Sequence, residues 1–148
     1  MKTVFLRRIP LPKFKKGSGR GKNKTYKEVL VTLNNTSQWI RYSQTKIKNE
    51  YKQILREFYF PEPEKEYEKL TIDYRIIRNS RRTLDKDNVV WALKWIADTL
   101  EEIGYIKNDQ NVNFRSFDTI LDKSSSETLL EIRVLEGSDR WEDHEQID

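Results

Sequence analysis

The stretch from Arg81 to Gly104 constrains the fold more than any other. It opens with Arg81-Arg82-Thr83-Leu84-Asp85-Lys86-Asp87-Asn88, where two aspartates stand at i and i+2. In an extended segment alternate side chains share a face, so both carboxylates would point one way. Val89, Leu93, Ile96, Leu100 and Ile103 follow in steps of four, three, four and three. That rhythm keeps one stripe of a helix turned to a core. Asp87 or Asn88 would serve as its N-cap, and Gly104 would take the left-handed position past its end. Asp109 returns a third acid soon afterwards. Carboxylates meeting at a strand end, a helix start and the loop after that helix would cradle a hard divalent cation.

The segments on either side supply a sheet. Glu68–Arg78 alternates Leu70, Ile72, Tyr74 and Ile76 with polar residues, which predicts a strand feeding straight into the aspartates. Thr3–Ile9 reads as a first strand and Lys27–Leu33 as a second. Between them the Gly/Lys/Arg-rich run 13–24 reads as a basic flexible loop. A long helix is predicted over about Ser37 to Tyr59, with Ile40, Ile47, Tyr51, Ile54, Leu55 and Phe58 inward. Arg41, Lys46, Lys48, Lys52 and Arg56 fall on its outer face, and Pro61 and Pro63 stop it. Val112–Leu121 and Leu129–Leu135 read as a closing hairpin across Asp122–Ser126. The expectation is an α/β (α+β) fold: a mixed sheet with two packed helices, in the order β-β-α-β-α-β-β. One domain over residues 1–135 would carry an acidic tail, 136–148.

Residue usage removes whole classes of chemistry. There is no cysteine, so neither disulfides nor thiolate zinc sites are available. The one histidine, His144, sits in the acidic tail, so histidine-based triads and multi-histidine metal sites lack parts. Gly17-Ser18-Gly19-Arg20-Gly21-Lys22-Asn23 has the wrong spacing for a phosphate loop, and Asn23 stands where a hydroxyl should hold magnesium; no nucleotide cofactor is expected. No apolar run reaches about 18 residues, so no membrane span is expected. The start lacks the apolar core of a signal peptide, which predicts a cytoplasmic protein.

Charge is split along the chain. The first 27 residues hold ten Lys/Arg and no acid. A block of this kind reads as a phosphate-binding surface, or more blandly as a solvated arm. Lys13, Lys15, Lys16, Arg20, Lys22 and Lys24, with Arg81 and Arg82, are the candidates for holding a nucleic-acid backbone. Trp91 and Trp95 fall opposite the apolar stripe of the second helix. They predict a homodimer interface there, unless the sheet or the first helix covers them within one chain. The acids also have blander readings. Asp87 would be only a cap, Asp85 a partner of Arg82, Asp98 a surface pair with Lys94, and Asp109 a turn residue.

Taken in order, Arg81-Arg82, Asp85-Lys86-Asp87-Asn88, Lys94, Asp98-Thr99-Leu100, Gly104 and Asp109-Gln110-Asn111-Val112 resemble the RusA family of Holliday-junction resolvases of bacteria and their phages and prophages. The match covers residues 81–112, about a fifth of the chain; beyond it the likeness is one of layout. The family places its lysine four residues after the second aspartate, where this chain has Trp91; Lys94 lies seven after it. The resemblance implies a homodimeric, Mg2+-dependent endonuclease, with Mn2+ as substitute, working in DNA recombination and repair in the bacterial cytoplasm. It would resolve four-way DNA junctions by paired, symmetric cuts. It carries over Asp85, Asp87 and Asp109 as metal ligands and Lys94 as a catalytic lysine. Two other classes remain open: a non-catalytic branched-DNA-binding protein, and a flap- or fork-type metal-dependent nuclease.

Overall fold

A computed structural model describes residues 1–18, 21–23, 25–31, 41–80 and 89–138. The elements are β1 (Thr3–Pro10), β2 (Lys13–Ser18), β3 (Thr25–Leu30), α1 (Arg41–Ile54), β4 (Leu70–Arg78), α2 (Val90–Glu102), β5 (Val112–Ser116), β6 (Ile120–Leu121) and β7 (Leu129–Glu136). The main sheet runs β1-β7-β4-β5, and β6 continues the β5 edge along β4. β7 is antiparallel to both β1 and β4, whereas β5 and β6 are parallel to β4. The fold is mixed α+β, as the alternation of patterns predicts.

Alternation along the strands sorts the sheet into two faces. Phe5, Ile9, Leu70, Ile72, Ile76, Leu130, Ile132 and Val134 are buried on the face that α1 and α2 cover. Leu6, Arg8, Asp73, Arg75, Glu131 and Arg133 alternate with them and stay on the open face. On burial alone, each large apolar side chain of the covered face contributes about 1.5–3 kcal/mol.

Four expectations are corrected. Residues 13–18 are not a flexible loop: they form β2, paired with β3 from Lys13↔Leu30 to Ser18↔Thr25. The ladder bonds are local, and Thr25–Glu28 stay exposed, so no apolar alternation announces the hairpin. Residues 112–121 and 129–135 are not paired with each other. α2 carries the chain from β4 to a parallel neighbour, β5, and β7 enters on the other side of β4. The parallel neighbour follows from a helical crossover, which a two-residue hairpin cannot make. In the first helix, Leu55–Tyr59 is a wide π turn closed by Phe60 N–H donating to Leu55 O at 2.8 Å. The extra residue in that turn rotates Phe58 outward, 73% exposed, and brings Phe60 into the core against Phe5. Lys48, Lys52 and Arg56 do not form a free outer face, because they pair with Asp98 and Glu102 of α2.

The tail expected from residue 136 begins later. Glu136 and Gly137 donate backbone hydrogen bonds to Lys2 and Lys69, and residues 139–148 lie outside the described residues. Among the described residues no helix is long and apolar enough to cross a membrane.

Candidate metal centre

β4 ends at Arg78, and Val89, fully buried, seats the start of α2. Arg81, Arg82, Asp85 and Asp87, expected at this strand end, fall outside the described residues. Val89 flanks the start of α2 and makes no side-chain capping bond, and Asp87 and Asn88, expected as caps, lie outside the described residues. α2 then sets Lys94, Asp98 and Glu101 at steps of four and three, so they share one side of the helix.

The end of α2 fixes where the next acid falls. Gly104 has φ +98°. Its N–H donates to Glu101 O at 3.2 Å, and Tyr105 N–H donates to Leu100 O at 2.9 Å. This is the Schellman termination predicted from the glycine. Tyr105 and Ile106 go straight into the core, and Tyr105 Oη donates to Pro61 O at 2.6 Å. Asn108 then caps a short 3-10 turn by accepting from Gln110 N–H at 2.9 Å. That turn brings Asp109 against α2.

Asp98, Glu101 and Asp109 each place a carboxylate oxygen within 4.8 Å of the others. The carboxyl groups of Asp98 and Asp109 share a hydrogen bond. That bond holds Asp109 above the ordinary carboxylate value, and partial burial and the Asp98 charge add to it. The Gln110 N–H and the Lys94 charge pull the other way. A cation on octahedral ligands at about 2.1 Å spans about 4.2 Å between opposite oxygens. Three carboxylate oxygens at this spacing could hold a hard divalent cation. Acid groups this exposed also occur on proteins without binding a metal.

The surroundings revise two further expectations. Asp98 does not pair with Lys94 along its own helix; its carboxylate lies 3.5 Å from Lys48 Nζ on α1. Lys94 Nζ stands 6.0 Å from the centre of the Trp91 ring, exposed and close enough to act on Asp109. The proposed dimer contact at Trp95 is overturned. That side chain is 1% exposed and packs on Tyr51 of α1 at 6.0 Å between ring centres. Trp91 is half-buried against the same core. α2 is wedged between the sheet and α1, so its buried side is wider than the Val/Leu/Ile stripe and takes in Ala92, Trp95 and Thr99.

Of the basic candidates, Lys13 is tied to Glu127 at 2.6 Å, while Lys15 and Lys22 are exposed on the β2–β3 hairpin. Arg20, Lys24 and the side chain of Lys16 lie outside the described residues. Glu101 and Lys48 were not anticipated. The spacing of Asp98 and Glu101 was a usable signal for the first, but nothing local to residue 48 reveals a partner on another helix. No family model matches the chain, and no curated protein matches it.

Proposed function

We propose that this chain is a divalent-cation-dependent endonuclease of branched DNA, cutting four-way junctions in pairs as a homodimer in the bacterial cytoplasm. The observation that carries the reading is the contact between Asp98 and Asp109. Two acids from separate elements are held against each other beside an exposed lysine, although such a contact is unfavourable without a proton or a cation between them. Asp85 and Asp87 precede the same helix in sequence and, on the resemblance, would supply further carboxylates.

Asp98, Glu101 and Asp109, with Asp85 and Asp87, would hold the cation. When bound, Mg2+ supplies Lewis acidity towards a phosphodiester oxygen and a nucleophilic water at neutral pH. The chain's own residues do the rest. A proton and a cation compete for the Asp109 carboxylate, so affinity falls as pH drops into the range where Asp109 takes up a proton. Lys48 holds Asp98 in place from α1. Lys94 offers an ammonium group to the phosphate, stabilising charge that grows during cleavage. Lys15 and Lys22 on the hairpin would hold backbone phosphates without reading sequence. A two-fold dimer suits a two-fold junction, because each site meets an equivalent strand.

The test is a labelled synthetic four-way junction incubated with Mg2+ and read on a denaturing gel. Paired symmetric cuts that vanish in Asp85→Asn and Asp109→Asn, with junction binding retained, are expected. Cuts without pairing would favour a flap or fork nuclease. No cutting, with binding indifferent to Asp85→Asn, would leave a DNA-binding module.

A further inference from the structure

The open face of the sheet, opposite α1 and α2, carries a second arrangement. Two rows of side chains cross it. Register sets Leu6 opposite Arg133, Arg133 opposite Asp73, and Asp73 opposite Arg115; the next row is Arg8, Glu131 and Arg75. Both acids in these rows are saturated. Asp73 accepts two hydrogen bonds from Arg115, at 2.6 and 2.9 Å. Glu131 accepts from Arg75 at 2.7 Å with one oxygen and from Arg8 at 2.8 Å with the other. Asp122 at the rim is 3.6 Å from Arg8. Arg133 is exposed, and among the described residues its side chain has no hydrogen bond or ion pair. The face is left cationic, and the acids hold three guanidinium planes in fixed orientations.

Phe117, 50% exposed, and Leu6, 46% exposed, flank a cavity of about 210 Å³ whose floor includes Arg75 and Arg133. Phe117 is anchored by its N–H, which donates to Tyr74 O at 2.9 Å. An exposed aromatic ring beside oriented arginines on a sheet is what an unpaired base and its phosphate require. The cavity is smaller than the roughly 300 Å³ of pockets that enclose whole small ligands. It has room for part of a nucleotide, with the rest of the strand lying across the sheet. A second copy of this chain fits poorly in register, because it would bring another Arg133 while the acids within the two rows, Asp73 and Glu131, are already saturated.

We infer that the open sheet face binds single-stranded DNA, stacking a base on Phe117 and seating a phosphate on Arg133. The choice of DNA rests on the branched-DNA reading above; the face itself does not use Asp98 or Asp109. The test is fluorescence anisotropy of a labelled oligothymidylate of about 12 nucleotides, titrated with the full chain in EDTA so that cleavage plays no part. Phe117→Ala should weaken binding by about 5-fold or more, and Phe117→Trp should restore it. Arg133→Gln should lower the salt dependence by about 0.7 in log–log slope. The titration contains no divalent cation, so the Phe117→Ala and Arg133→Gln results stand whether or not the junction is cut. Unchanged affinity and slope in correctly melting Phe117→Ala and Arg133→Gln proteins would overturn the proposal. So would tighter binding of the matching RNA, or variants that alter sedimentation mass instead of affinity.

Discussion

The molecule holds carboxylates in two opposite ways. On the open face, Glu131 lies between Arg8 and Arg75. Burial pushes its carboxyl up, but the hydrogen bonds and charges of the two arginines outweigh this and hold it below the ordinary value. Beside α2, Asp109 faces Asp98, and their hydrogen bond pushes Asp109 up. The first acid is a tie between strands, supplied with cations by the fold itself. The second pair has one direct cation from the fold, Lys48 on Asp98, for two carboxylates, so part of its charge is left to an external cation. Acids that the chain does not neutralise from within are the better markers of function.

The largest expected effect separates these roles by activity. Asp109→Asn should reduce junction cutting by about 100-fold or more, whereas Glu131→Gln should leave cutting near wild type. Stability should show the reverse. Glu131→Gln weakens the acceptor of two strand-crossing arginines, and chemical denaturation should show a loss of about 1–2 kcal/mol, modest because both guanidinium groups reach water. Asp109→Asn in EDTA should instead raise the melting temperature slightly, because it removes a repulsion. Saturating Mg2+ should stabilise wild type and erase that advantage.

The smallest effect is in pH. Asp109 titrates above its unfolded value of 3.8, so the folded state takes up a proton first and gains stability as pH falls towards 3.8. Glu131 titrates below its unfolded value of 4.5, so its contribution is complete above 4.5 and is lost as pH drops through the lowered value. Melting curves of wild type and the two variants in EDTA between pH 7 and pH 3 should show Asp109→Asn flattening the gain and Glu131→Gln flattening the loss.

What the residues reveal by themselves depends on how local the deciding force is. The stripe from Val89 to Ile103 and the stop at Gly104 rest on contacts within a turn or two, and both are found in the structure. So is the β4 alternation. Asp109 stood out as an acid just past a helix end, yet its neighbours Asp98 and Glu101 are set by the wrap of the chain through Tyr105 and Ile106. For Trp95, cover by the first helix is the reading found, because a helix wedged on two sides buries more than a Val/Leu/Ile count shows. The β2–β3 hairpin was missed because its side chains are largely polar and its stabilising bonds are backbone ladder bonds. The partners of β7 lie more than fifty residues away, a separation that no short window of residues encodes.

The position of β7 also governs assembly. It comes after every other strand in the chain yet lies in the middle of the sheet, with β1 on one side and β4 on the other. A nascent chain can form α2 and dock β5 on β4 early, but β1 has no partner until residues 129–136 emerge. Closure therefore waits on long-range pairing, the slow kind. A ribosome stalled before Leu129 would hold a chain with two bare strand edges.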